Sequence, residues 1–142
     1  GEVPDGFYTT EIGKANVLRT GSDLTIITYG YGVHWATKTL DMNPEISADL
    51  IDLRSLKPLD TVTIFESVKK TGKAIILHED TITGGIGGEL SAVITRECFE
   101  YLDAPVFRCG SLDTPIPFAG ELEKNFLPEE RFIKTLLDLD SY

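Results

Sequence analysis

Four short runs of β-branched and other apolar residues set the strongest limit on what this chain can fold into. They are residues 24–29 (Leu-Thr-Ile-Ile-Thr-Tyr), 48–53 (Ala-Asp-Leu-Ile-Asp-Leu), 73–78 (Lys-Ala-Ile-Ile-Leu-His) and 105–109 (Pro-Val-Phe-Arg-Cys). Near-continuous apolar runs of this kind belong to strands covered on both faces. Between them, apolar residues recur at helical spacing. Strands that alternate with helices pair in parallel through right-handed crossovers and carry helices on both sides of the sheet. The expected fold is α/β, a three-layer α/β/α sandwich with a mostly parallel sheet.

The remaining segments fit this scheme. Residues 15–19 read as a short edge strand ended by Thr20-Gly21-Ser22. Gly30 and Gly32 bracket a turn before a short helix over 33–40, which Asn43-Pro44 stops. Asp60 is placed to N-cap a second helix and Gly72 to close it at C′. Val62, Phe65 and Val68, with Ile64 as a further member, form its expected apolar stripe. Leu90, Val93, Ile94 and Cys98 mark a third helix running up to Tyr101. Two prolines make residues 113–118 an extended loop. A last helix spans 128–139, with Phe132, Ile133, Leu136 and Leu137 expected inward. Pro4 and the Asp5-Gly6 turn signal make residues 1–14 a linker ahead of a single domain over 15–142.

Thirteen basic residues against 23 acidic ones leave a net charge of −10. Phosphate backbones are held by Lys and Arg, so nucleic acid is not an expected partner; the charge permits a basic protein partner, although composition alone favours acidity that only keeps the protein soluble. No run approaches the roughly 20 apolar residues that span a bilayer, so no membrane role is expected. The first 20 residues carry no secretory signal pattern, and the chain reads as cytoplasmic, or as a matrix protein in a eukaryote. Cys98 and Cys109 form no C-x-x-C pair and read as two buried free thiols, without a zinc site.

The segment His78-Glu79-Asp80-Thr-Ile-Thr-Gly84-Gly85-Ile-Gly87-Gly88-Glu89-Leu90 sits between a strand and a helix, where phosphate loops occur. It does not fit one. The dinucleotide pattern fails at Leu90, the Gly-Lys-Ser/Thr of a Walker loop is absent, and Glu89 puts negative charge in the first helical turn. The glycines read instead as a device for close packing of the helix start, within the domain or across a subunit interface. His78 beside two carboxylates could do acid–base work. Consecutive strand residues point to opposite sides, however, which favours a histidine tied into a structural or interface hydrogen-bond network. His34 has no metal-ligating neighbour at helical spacing, and no serine lies in a Gly-x-Ser-x-Gly elbow. The residues themselves name no catalytic, cofactor-binding or metal site.

Taken in order, several segments resemble a known family. They are residues 23–30 (Asp-Leu-Thr-Ile-Ile-Thr-Tyr-Gly), 51–60 (Ile-Asp-Leu-Arg-Ser-Leu-Lys-Pro-Leu-Asp), His78-Glu79-Asp80 with Thr83-Gly84-Gly85, Leu102-Asp103-Ala104-Pro105 and 112–117 (Leu-Asp-Thr-Pro-Ile-Pro). From about Val3 onward the chain is similar to the C-terminal, transketolase-like domain of the β subunit of thiamine-diphosphate-dependent 2-oxo acid dehydrogenases. His78-Glu79, Thr83-Gly84-Gly85 and Glu97-Cys98-Phe99 look most like the branched-chain member acting on 2-oxoisovalerate. The pyruvate and acetoin enzymes are close to it.

The resemblance implies an enzyme that decarboxylates a 2-oxo acid and passes the acyl group to a lipoyl transacylase. Thiamine diphosphate and magnesium would lie outside this domain, on the α subunit or α-like half and the preceding β-subunit domain. This domain would then serve association with a second β subunit, through His78, Glu79, Gly84, Gly85, Gly87 and Gly88. It would also dock the basic subunit-binding domain of the transacylase through Asp103 and the aromatic C-terminus, Tyr142. Taken alone it would be inactive. Other transketolase-fold enzymes, and a free-standing module holding a small anion, are the alternatives.

Overall fold

The computed structural model describes residues 4–142. The expected linker includes residues 1–3, which lie outside the described residues. From Pro4 to Glu11 the chain is exposed and free of helix or strand. Five strands form one sheet: β1 (Asn16–Arg19), β2 (Leu24–Thr28), β3 (Ala48–Asp52), β4 (Ala74–Thr81) and β5 (Phe107–Ser111). Their spatial order is β1-β3-β2-β4-β5. β2 pairs in parallel with β3 and β4, and β4 pairs in parallel with β5. β1 alone is antiparallel, on the edge beside β3.

Five helices cover the two faces: α1 (Gly32–Met42), α2 (Thr61–Thr71), α3 (Ile86–Cys98), α4 (Gly120–Phe126) and α5 (Glu129–Asp140). Strand alternation divides the core in two. Leu24, Ile26, Leu50, Ile75 and Leu77 meet Trp35, Ala36 and Leu40 of α1 and Phe132, Leu136 and Leu139 of α5. Ile27, Ile51, Ala74 and Ile76 meet Ile64 and Val68 of α2 and Leu90, Ile94 and Cys98 of α3. The three-layer α/β/α sandwich is therefore the fold.

Capping matches the sequence at α2. Asp60 accepts from the Thr63 amide at 3.2 Å, and Gly72 ends the helix at φ +72° with its amide on the Val68 carbonyl. Elsewhere the structure corrects the expectations. α1 reaches Met42 and starts at Gly32, longer than residues 33–40. The buried stripe of α2 is Ile64, Ser67, Val68 and Thr71, whereas Val62 is 61% exposed. Ser67 and Thr71 turn inward because the sheet beneath them is polar. β5 runs from Phe107, which pairs with Ile75, to Ser111, which pairs with Thr81, rather than over residues 105–109. On α5 the inward positions 132, 136 and 139 follow i, i+4, i+7 spacing, which puts Leu137 outside and Leu139 in the core. α4 has no counterpart among the helices expected from sequence.

Candidate functional site

His78 is the fifth residue of β4 and faces α3. It has no exposed surface, and neither ring nitrogen has a hydrogen-bond partner among the described residues, so the hydrogen-bond network expected around it is not formed within them: the imidazole is enclosed by glycines, which offer it no side-chain partner. The glycines explain how the imidazole fits. A methyl group on Gly87 would collide with Nε2 of His78, one on Gly110 would lie 2.8 Å from Cε1, and one on Gly85 3.0 Å from Cε1. The loop is thus moulded over its own histidine. Gly84 serves differently. At φ +84°, with open space around it, it turns the chain into α3. Burial pushes the His78 imidazole below its ordinary value, and Asp80 only partly opposes this. The ring is neutral at pH 7.

Of the six residues read as an interface, Glu79 and Gly84 are exposed and Gly88 is half-buried. His78, Gly85 and Gly87 are buried within the chain and offer no surface of their own. Glu79 and Asp80 lie at the carboxyl end of β4, and the Ser111 hydroxyl donates to the Glu79 carbonyl at 2.6 Å. Arg108 donates to the Ile82 carbonyl at 3.1 Å and steadies the glycine loop from outside.

Asp103 and Tyr142 both lie toward the opposite end of the sheet, Asp103 beside Gly72 and Tyr142 against Phe107. Asp103 follows the single 3-10 turn Phe99–Tyr101, donates its amide to the Gly72 carbonyl at 2.8 Å, and is exposed. Tyr142 is 64% exposed and meets Phe107, the first residue of β5, edge to face at 5.8 Å. Lys73, just before β4, donates to the Asp140 carbonyl at 2.9 Å and ties the end of α5 to this side. Nearby, Lys69 sits 5.1 Å from the centre of the Tyr101 ring. His78 lies four positions after Ala74, so the two expected contact regions are about 13 Å apart along the strand.

A polar network beneath α2 has no counterpart in the sequence-based expectations. Asp49, 3% exposed, accepts from the Ser67 hydroxyl at 2.5 Å, Lys70 at 2.6 Å and the Gly21 amide at 2.8 Å. Thr25 joins Ser67 at 2.7 Å and Thr71 at 2.8 Å. Polar residues inside otherwise apolar strand runs, Thr25 and Asp49, are the signal that points to it. Burial raises the Asp49 carboxyl, but the bonds from Lys70, Ser67 and Gly21 outweigh it and hold the group below its ordinary value.

The residues present do not fit thiamine diphosphate with magnesium. Among the described residues no group of three or more His, Cys, Asp or Glu side chains is placed to hold a metal. The space beneath the glycine loop is taken by His78, and Glu89 lies in the first turn of α3. Among the described residues no helix is long and apolar enough to cross a membrane.

Comparison with known proteins gives a consistent outcome. The family model described as transketolase, C-terminal domain, matches residues 13–133. The 2-oxoisovalerate dehydrogenase subunit beta of Pseudomonas aeruginosa is 47% identical over 84% of this chain and 34% of that protein. The corresponding subunit of Bacillus subtilis is 44% identical over 89% of this chain and 40% of that protein. The pyruvate dehydrogenase beta subunit of Rickettsia felis is 41% identical over 91% of this chain and 40% of that protein. The chain thus spans about two fifths or less of the length of these relatives. Among solved structures, an inactive β4 tetramer of a split-gene transketolase superposes with a TM-score of 0.74 at 27% identity, over 98% of this chain and 46% of that one.

Proposed function

The chain belongs to the transketolase C-terminal domain family, and from that premise we propose that it is the C-terminal assembly domain of a 2-oxo acid dehydrogenase β subunit. The observation that carries the reading is that β subunits of such enzymes match this chain at 41% to 47% identity over most of its length. The enzyme would be thiamine-diphosphate-dependent, with the cofactor and magnesium held outside this chain by the α subunit or α-like half and the preceding β-subunit domain. The 2-oxoisovalerate enzyme is preferred on the ordered motifs His78-Glu79 and Thr83-Gly84-Gly85.

Two faces would divide the work. The carboxyl end of β4, with Glu79 and Gly84 exposed, Gly88 half-buried and His78, Gly85 and Gly87 shaping the loop from beneath, would meet a second β subunit. The amino end, with Asp103 and Tyr142, would receive the basic subunit-binding domain of the lipoyl transacylase. An exposed carboxylate on a chain of net charge −10 suits a cationic partner.

The test is isolation of the native assembly with an antibody to this domain. The expected polypeptide is far larger than 15.6 kDa, accompanies an α partner and a transacylase, and decarboxylates 3-methyl-2-oxobutanoate faster than pyruvate. In that assembly Asp103→Lys should leave β pairing intact and weaken transacylase capture at low salt, where surface charges are least screened. A 15.6 kDa chain without partners, or transfer of two-carbon ketol units instead, would contradict the reading.

A further inference from the structure

The first turn of α3 rests on a buried imidazole, and the strand that carries the ring is irregular. From Leu77 to Thr81, β4 advances four residues while β5 advances two, from Cys109 to Ser111. Such bulges re-aim side chains and are over-represented next to functional sites. This one holds His78, Glu79 and Asp80. Nε2 of His78 occupies the space that a β-carbon on Gly87 would need. Gly85, the residue before α3, has no side chain to cap the helix. The segment behind it is fastened. Thr83 donates to Asp113 through its amide at 2.9 Å and its hydroxyl at 2.7 Å, and the Ile82 amide donates to the Ser111 carbonyl at 3.1 Å. Gly84, at φ +84° with open space around it, separates that fixed part from the helix start.

An imidazolium bears a proton on both nitrogens. The one on Nε2 would be driven into Gly87, where the free amides and dipole of a thirteen-residue helix present positive charge. A buried charge without a partner is not sustained, so either the proton or the helix start must leave. The groups around the ring are few. Burial opposes the charged form most, Asp80 on the same strand favours it, and Arg108 of β5 opposes it. Tyr29, just after β2, is neutral, because burial and the Asp80 and Glu79 charges raise its hydroxyl. Glu89 in the first turn of α3 is exposed. Asp80 is held outside: it accepts from the Thr81 amide at 2.8 Å. Ring and carboxylate flank Gly85, where a methyl group would lie 3.0 Å from Cε1 of His78 and 3.3 Å from Oδ2 of Asp80. The ring therefore reaches that carboxylate only if Gly85 gives way.

We propose that His78 is a proton-operated latch: when it takes up a proton, residues 84–88 swing about Gly84 and the first turn of α3 opens, bringing the ring to Asp80 and to water. Loss of the proton reseats the helix start. The inference goes beyond the assembly role and does not depend on it, because ring, hinge and helix start all belong to this chain. The two-sided core also closes within the chain, which can therefore be titrated directly.

The experiment is amide hydrogen exchange by ¹H–¹⁵N NMR from about pH 7 to about pH 5, corrected for the intrinsic exchange rate. The ring signals of His78 are followed beside those of the only other histidine, exposed His34. Burial holds His78 below its ordinary value of 6.5, so its ring should titrate below that pH. The amides of Leu90, Ser91 and Ala92 pair with carbonyls of the first turn of α3. Their protection should fall at least about tenfold with the same midpoint as the ring, an opening far short of global unfolding. Ile64 and Val68 of α2, on the same face of the sheet, should keep theirs. Asp80→Asn removes the carboxylate that favours the charged ring and should lower both midpoints together. His78→Leu should leave protection of α3 independent of pH. Protonation of His78 with α3 unchanged would overturn the latch, as would a pH-dependent loss that persists in His78→Leu or is shared equally by α2. A ring still neutral at the acid end would overturn it too. Midpoints that part company in Asp80→Asn would do so even if the leucine variant does not fold.

Discussion

Thr25 and Thr28 lie three residues apart on β2, and neither has exposed surface, yet their hydroxyls meet opposite fates. Thr25 is bonded to both Ser67 and Thr71 of α2, and through Ser67 to Asp49 and Lys70. Thr28, near the carboxyl end, has no partner for its hydroxyl, and His78 at the same end has none for either nitrogen. These three orphan atoms all lie toward one end of the sheet. The amino end is a closed polar network that fastens α2 to β2 and β3. The carboxyl end tolerates unmade hydrogen bonds, each costing about 1–3 kcal/mol in a buried site. The two ends of the sheet thus differ in how fully their buried polar groups are paired within the described residues. The less fully paired end carries the glycine loop.

The contrast between the two ends is most exposed to disproof at Asp49. Asp49→Ala should destabilise the domain by roughly 3 kcal/mol, because Ser67, Lys70 and the Gly21 amide all lose their acceptor. The measurement is urea denaturation at pH 7, and a loss near zero would show that the network is not a fastening. Since the folded-state value of Asp49 is depressed, its contribution is present above the ordinary carboxylate value of 3.8 and disappears as pH falls through the lower folded value.

The two threonines allow a matched pair of substitutions. Thr25→Val should cost about 1–2 kcal/mol by leaving Ser67 and Thr71 short of a partner. Thr28→Val removes only an orphan hydroxyl and should be neutral or stabilising by up to about 1 kcal/mol. Equal losses in thermal melts of the two variants would erase the distinction between the two ends.

A small effect at neutral pH is also expected at His78. His78→Leu keeps the volume and removes two orphan nitrogens, so stability at pH 7 should change by less than about 1.5 kcal/mol. The pH dependence should change more. The folded value of His78 lies below 6.5, so the unfolded chain takes up a proton first and stability falls as pH drops below 6.5, until the folded value is also passed. The variant should lose that slope between pH 7 and 5 in denaturant midpoints. A slope that persists unchanged would assign it to carboxylates instead.

Much of this fold is legible in the sequence because buried parallel strands announce themselves. Residues 24–29, 48–53 and 73–78 each contain a strand, and Asp60 and Gly72 mark the two ends of α2 by their capping chemistry. What is not legible follows from the same physics. α4 buries only Phe126 over seven residues, so no apolar period exists to be read. The inner face of α2 escapes an apolar-stripe reading because it answers a polar patch of sheet. Ser67 and Thr71 look like surface residues until Thr25 and Asp49 are placed beneath them. At the site, the glycines read as a packing device, and two of them, Gly85 and Gly87, pack on His78 of their own chain. Burial of His78 stays hidden because strand alternation separates it from Glu79 without saying which of the two points inward.

If this domain assembles an enzyme without holding its cofactor, the purified chain should be indifferent to thiamine diphosphate. Calorimetric titration of thiamine diphosphate with magnesium into that chain should give no saturable heat up to about 1 mM cofactor, the range of weak nonspecific contact. Saturable binding in the micromolar range would contradict the assembly role and place cofactor chemistry within these residues.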